Sequence, residues 1–367
     1  MEFKEIQKEI LGWKTSINGE LTTTWRSPSN IALLKYWGKR EGQLPVNPSL
    51  SFSLSKAHTT TKLTANIDTN NSGIRKVNNN KEHPFLTKIM LFWQTVIIEI
   101  PLFKDYCLDI ETHNTFPHSS GIASSASGFS ALALALIDLA QTISANKLSK
   151  EDFNKYASSL SRMGSGSACR SVNDGFNLWG ATELWKESSD YYAIDINENI
   201  HSSFHNLHDA ILLVSAKEKS LSSSKGHALM KEHPYANGRL LQANNNLSLF
   251  KKALSEGDLE LLAQLSENEA LSLHALIMSS GGGDILLEPA SLELIQRIKK
   301  ARNKGLSVFF TIDAGPNIHL IYPDSEKMKA EEFIHNELSD ICSVDKVIFD
   351  YSGKGPEKIN ELNKSFL

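Results

Sequence analysis

A run of small residues at 117–129, PHSSGIASSASGF, opens directly onto the apolar stretch ALALALIDLAQTIS. Small side chains let a backbone approach a ligand closely, and glycine reaches dihedrals that other residues avoid. The first turn of a helix leaves N–H groups unpaired at the positive end of its dipole. Such a loop at a helix start is an anion site, most often for phosphate, and serine hydroxyls add uncharged donors. The plainer alternative is an N-capped helix after a serine-rich loop. No GxxxxGK[ST] run occurs, so this is not the loop of a P-loop ATPase.

Other residues carry chemistry of their own. Arg170 sits in a second loop of small residues, MGSGSACRSVNDGF, and a guanidinium grips a carboxylate or phosphate with two bonds where lysine cannot. Lys35 and Lys39 of KYWGK lie i, i+4, so a helix or tight turn would aim both at one point; a solvated basic face is the alternative. Asp313 lies in a DAGPN turn between two apolar stretches. There it could orient or deprotonate a hydroxyl, or simply bond its own backbone. His201, His205 and His208 lie close together without the Glu of a zincin helix, so no metal site is expected. Cys169 beside Arg170 reads as a buried small thiol, and the GGG at 281–283 as a connector.

A chain of 367 residues can hold two domains or one large one. With 41% apolar and 22% charged residues it has an ordinary globular composition. A net charge of −4 argues against a nucleic-acid surface but not against a local basic pocket. Three widely spaced cysteines fit a reducing cytosol better than a disulfide framework. The segment MEFKEIQKEI has no apolar core, so no signal peptide is expected. The apolar run at 89–103 is interrupted by Gln94 and Glu99, so no membrane span is expected either. These features predict a cytoplasmic protein without nucleic-acid or membrane partners.

The pattern predicts a short amphipathic helix within 1–20, then a strand in the second half of 21–55. A further strand, 59–67, is expected to pair with it; 68–83 reads as a solvent loop and 84–99 as a helix. A strand at 107–114 leads into the Gly/Ser loop and its helix. The next helix carries a capping signal, Ser149 with Asp152. ATELW and YYAIDI are expected to close a first unit near residue 200. Beyond it come a buried strand in HDAILLVSAKE, a third serine loop SLSSSKGHALM, and helices through 232–280. A helix stopped by glycine, two strands around DAGPN, another helix and a last strand complete an α+β pattern.

Three separated motifs agree: SPSNIALLKYWGKREGQLPVNPSLSFSLS, the pair SSGIASSASGFSALA and SRMGSGSACRSVNDGF, and FTIDAGPN. Together they resemble the diphosphomevalonate decarboxylase family of the GHMP small-molecule kinase superfamily, over residues 24–320. The resemblance implies a two-domain fold: residues 1–200 like domain 2 of ribosomal protein S5 and nucleotide-binding, residues 201–367 ferredoxin-like, with the site between them. It implies ATP with Mg²⁺, and a mevalonate 5-diphosphate that is phosphorylated on its tertiary alcohol and then loses phosphate and carbon dioxide. A relative that decarboxylates or phosphorylates mevalonate 5-phosphate or mevalonate would share most of these motifs, and a non-catalytic nucleotide-binding relative is the more distant alternative.

By the same resemblance, Asn30, Gly121, Ser124, Ser125, Ser127 and Gly128 form the nucleotide cradle. Asp313, Arg170 and Lys35 are the expected catalytic residues. Tyr36, Lys39, Ser165, Ser167, Ser224 and Lys225, together with Arg170, are expected on the substrate, and no protein metal ligands are expected. Trp37 is read as core. A homodimer is common in relatives. Two departures stand out: Lys225 and His227 where relatives carry other residues around the Gly, and Asn173-Asp174, which would bring a negative charge near the pocket.

Overall fold

The computed structural model describes residues 1–17, 19–78, 85–117, 122–215, 223–343 and 347–360. Helix α1 (Phe3–Leu11) turns Ile6 and Ile10 inward. It is followed by β1 (Leu21–Leu34), β2 (Ser49–Ile67), β3 (Gly73–Val77), α2 (Leu86–Glu99) and β4 (Tyr106–Asn114). Then come α3 (Ser124–Ser144), α4 (Lys150–Gly164), β5 (Phe176–Trp179) and β6 (Ala193–Asp195). The second half holds β7 (Leu207–Leu212), α5 (Ser223–Ala228), α6 (Ala236–Glu256), α7 (Leu259–Met278) and α8 (Pro289–Asn303). Strands β8 (Phe309–Thr311) and β9 (Ile318–Pro323), α9 (Lys327–Phe333), β10 (Val347–Tyr351) and β11 (Glu357–Lys358) end it.

The helix starts follow the expected local chemistry. Ser149 Oγ accepts from Asp152 N at 3.1 Å to cap α4, and Asp258 Oδ1 accepts from Leu261 N at 2.9 Å to cap α7. Helix α3, from which no span was expected, is long and apolar enough to cross a membrane, but it is mostly buried: α3 is the core helix under β1 and β2.

Strands are ordered β11-β1-β2-β4-β3 in one sheet, with β5 on β2 and β6 on β5. Here the two strands expected around 55 and 59–67 are in fact one, the 19-residue β2. Its early part pairs with β5, its later part with β4, and β1 runs along both. The register on β1 shifts between Pro28 and Asn30, which would strand the N–H groups opposite. The buried carboxylate of Asp350, from β10, accepts from Ser55, Lys56 and Ala57 N at 2.7–2.9 Å and lets the strand continue. Residues 73–77, expected as loop, add β3 parallel to β4. ATELW is not a strand: Ser188 Oγ takes the Thr182 N–H at 2.9 Å and folds it into a turn, so Phe176–Trp179 supplies the strand instead.

A second sheet, β10-β7-β9-β8, is antiparallel throughout. Leu212, Phe310, Leu320 and Tyr322 pack on one side with residues of α8 and α9. On the other side Ile211, Phe309 and Ile321 share a core with Leu34, Leu50 and Phe52 of the first sheet and with α6 and α7. Joined this way, the halves form a two-domain α+β architecture whose sheets share one core. The chain end then crosses back, with β11 pairing on the outer edge of β1.

Candidate active site

Where the halves meet lies a cleft of about 490 Å³. Its floor is the chain just past the end of β1, which leaves the sheet at Leu34 and turns at Gly38 (φ 98°). Lys35, Tyr36 and Lys39 all line the cleft, but the segment is irregular rather than the helix that would aim both lysines at one point. Lys35 Nζ donates to Asp313 Oδ1 at 2.6 Å; the lysine side chain is buried and that of Asp313 is 27% exposed. Burial holds the Lys35 ammonium below its ordinary pKa, and Asp313 partly offsets this.

Asp313 comes from the turn between β8 and β9, carried by two short buried strands. His274 on α7 donates from Nε2 to the Asp313 carbonyl at 3.0 Å. Arg170 stands opposite on the turn after α4, 2% exposed. Its Nη1 donates to Ser49 Oγ, its Nε to Asn30 Oδ1 at 3.3 Å, and its Cζ lies 5.5 Å from the Tyr36 ring centre. Asn30 lines the cleft and also donates to Ser167 O and Ser171 Oγ, so it fixes the arginine's loop.

At the other end, α3 begins in the cleft wall. Its cap position is Ala123, with no side chain to satisfy the first N–H groups, and Ser124, Ser125 and Gly128 face the space. Ser125 Oγ lies 3.2 Å from Ser165 Oγ, and Ser167 lines the same wall. Beyond them Ile89, Ile110, Phe129 and Leu132 form an apolar end with Thr59, Thr61 and Asn114. Among the described residues, the charged lining is Lys35, Lys39, Lys88 and Arg170 against the single carboxylate of Asp313, an arrangement suited to a polyanion.

Not every expected residue is there. Ser127 is fully buried and turned from the cleft: its hydroxyl lies 2.6 Å from Thr59 Oγ1, tying α3 to β2. Lys225 is exposed on α5 and is not part of the lining. Gly121 and the side chain of Ser224 lie outside the described residues. Asp174 also stays out of the cleft, where the sequence suggested an added charge. It accepts from Gly355 N at 2.8 Å and clasps the returning chain end.

His227 does reach the wall. Its ring stacks on Tyr36 at 4.5 Å, and its Nδ1 accepts from Gly38 N at 3.2 Å. Burial, with Lys39 and Arg170 nearby, brings its pKa down to about 3, so the ring is neutral. Burial also raises the Tyr36 phenol and lowers Lys39 to about 8. Trp37 is core as read, with its Nε1 donating to Gly226 O at 2.5 Å. Cys169 is buried and pushed up to about 12, an inert thiol. The three histidines bond elsewhere, and no group of three potential metal ligands exists among the described residues.

Sequence reasoning missed one pair. Arg239 on α6 and Glu269 on α7 form a two-bond ion pair at 2.6 and 2.8 Å, both buried directly behind Lys35. Thirty residues apart in a stretch expected only to be helical, they offered no motif.

The family model for the diphosphomevalonate decarboxylase-like N-terminal domain matches residues 27–191. That for the mevalonate 5-diphosphate decarboxylase C-terminal domain matches residues 210–365. The diphosphomevalonate decarboxylase of Candida albicans is 26% identical over 362 residues, covering 91% of this chain and 97% of that protein. That of Saccharomyces cerevisiae is 28% identical, covering 89% and 84%. The solved mevalonate diphosphate decarboxylase of Staphylococcus aureus has a TM-score of 0.79 at 28% identity, covering 93% of this chain and 99% of that one. A structure of MDDEF in complex with MVAPP, AMPPCP and magnesium has a TM-score of 0.78 at 28% identity, covering 93% and 100%. Since both halves match models of one family and nearly the whole length superposes on solved relatives, the chain belongs to the diphosphomevalonate decarboxylase family.

Proposed function

We propose that this chain catalyses the ATP-dependent decarboxylation of mevalonate 5-diphosphate to isopentenyl diphosphate. The observation that carries the reading is the Lys35–Asp313 pair facing Arg170 across a cationic cleft that ends at the start of α3. The tertiary hydroxyl of the substrate attacks the terminal phosphorus of ATP, and ADP leaves. Asp313 orients that hydroxyl and takes its proton, while Lys35 holds the carboxylate in place and adds positive charge beside the transferred group. In the phosphorylated intermediate the carbon–oxygen bond breaks and phosphate departs. The bond to the carboxylate then breaks, carbon dioxide leaves, and the freed electron pair forms the double bond.

Arg170, immobilised by Ser49 and Asn30, holds the substrate carboxylate with its planar fork. Lys39, Tyr36, Ser165 and Ser167 face the diphosphate. Ser124, Ser125 and Gly128 at the start of α3 receive the nucleotide phosphates, and the apolar end takes the base. The uncharged hydroxyls of Ser124 and Ser125 in this wall are compatible with an Mg²⁺ that the nucleotide's phosphates would hold. When bound, Mg²⁺ neutralises phosphate charge. We divide the chain into domains at residue 200. A homodimer in the cytoplasm, without nucleic-acid or membrane partners, completes the proposal; its three cysteines are free, as a reducing compartment keeps them.

The test is an assay with ATP and each of mevalonate, its 5-phosphate and its 5-diphosphate, following ADP, phosphate and carbon dioxide. Stoichiometric release of all three from the diphosphate is expected. Carbon dioxide from the monophosphate alone, or ADP without carbon dioxide, overturns the reading. The mass in solution checks the dimer.

A further inference from the structure

Lys35 is the first residue past the last paired residue of β1, so the sheet no longer serves its backbone. Asn47 Nδ2 donates to Lys35 O at 3.1 Å, and the buried ion pair from the other half bonds both of its backbone groups. Glu269 Oε2 accepts from Lys35 N at 3.0 Å, and Arg239 Nη2 donates to Lys35 O at 2.6 Å. The pair is held in turn: Asn246 Nδ2 donates to Glu269 Oε1 at 2.7 Å, and Gln242 Oε1 accepts from Arg239 Nη1 at 3.0 Å. Both charged side chains are 1% exposed or less, and neither lines the cleft. Five residues along α7 from Glu269, His274 donates to the backbone carbonyl of Asp313.

One helix therefore grips the backbones of both Lys35 and Asp313, residues that come from different sheets. A buried ion pair is weak evidence of stabilisation, because desolvation cancels much of its attraction. Its value here is geometric: two charge-assisted bonds fix a chain segment that the sheet has released. We propose that α7 is the spacer setting the Lys35–Asp313 separation, with Glu269, Arg239 and His274 as positioning residues that never touch substrate. This rests on the reading that Lys35 and Asp313 act at the transferred phosphoryl group.

The experiment uses the full chain with ATP and mevalonate 5-diphosphate. Glu269→Asp keeps the charge but withdraws the carboxylate by one methylene from Lys35 N. Arg239→Lys keeps the charge but loses the fork. Each is expected to lower kcat by about 10- to 100-fold, the loss typical of a small misplacement of reacting groups, with KM for both substrates within about twofold. Leu262→Ala, on the same helix but in the apolar core, is the control for lost packing. It is expected to lower Tm at least as much while leaving kcat unchanged. If Glu269→Asp fails to fold, Arg239→Lys carries the test.

A folded Glu269→Asp or Arg239→Lys variant with parental kcat overturns the inference. So does a Leu262→Ala variant of equal Tm that loses as much kcat. Asp313→Asn is measured alongside. If it turns over normally, the catalytic reading itself has failed; if it is inactive while the positioning variants are normal, only the spacer has.

Discussion

Lys35 and Asp313 stand 278 positions apart in the chain and 2.6 Å apart in space, ammonium to carboxylate. The lysine is buried and its partner half-open to the cleft, so the carboxylate is the member able to meet a substrate hydroxyl. Asp313→Asn keeps the shape and removes the base. ADP formation should fall by about 10²–10⁴-fold with substrate affinity nearly unchanged. Single-turnover kinetics with calorimetric binding decides this, and normal turnover removes Asp313 from its role.

Arg170 is held from two sides, by Ser49 and Asn30, with its Cζ over the Tyr36 ring. Lysine cannot reproduce a planar fork with several fixed donors. Arg170→Lys should lose about 10²-fold or more in kcat, since a carboxylate left loosely held is misplaced for departure. Steady-state carbon dioxide release checks it.

Burial lowers the Lys39 ammonium to about 8. A lysine is charged below its pKa and neutral above it. The anion-binding charge is thus present below about pH 8 and lost as pH rises through it. The kcat/KM for the phosphorylated substrate, which reports the free enzyme, should fall above that point. Lys39→Arg, always charged, should lack this limb. An unchanged limb in the variant would assign it to another group.

Gly166 is packed where no side chain fits: a Cβ there would lie 2.8 Å from Tyr36 Oη and 3.0 Å from Trp179 Cη2. Gly166→Ala should push the Tyr36 ring into the cleft and raise KM for the diphosphate by about tenfold or more. A variant with parental KM would show that the ring can retreat without cost.

Asp174→Ala should leave kcat and KM unchanged, because the carboxylate holds Gly355 N outside the cleft. It should lower the urea midpoint, corresponding to about 1 kcal/mol for one lost hydrogen bond. A changed KM would mean that its charge reaches the substrate after all.

Much of the fold was legible because its signals are local. Ser149 capping α4, the apolar run of α3 and the turn at DAGPN each lie within one segment, where propensity and capping decide. The errors fell where a distant group intervened. β2 runs on because Asp350, nearly 300 residues away, satisfies the N–H groups at its irregularity, and ATELW turns because a serine hydroxyl captures its backbone. Neither partner is visible in a window around the strand.

The candidate site divides the same way. Residue types and motif spacing made the small-residue loops, the lysines of KYWGK, Arg170 and Asp313 candidates, and the family resemblance gave them their roles. Orientation was beyond reach: nothing in ASSASGF says that Ser125 faces the cleft while Ser127 faces the sheet. Nor does any motif tell that Asp174 clasps the chain end, or that Arg239 and Glu269 hold Lys35 from behind. A residue's chemistry is set by its own atoms and near neighbours, so sequence determines what it can do. Whether it meets its counterpart depends on two sheets sharing one core, and that packing brings together groups whose separation along the chain carries no signal.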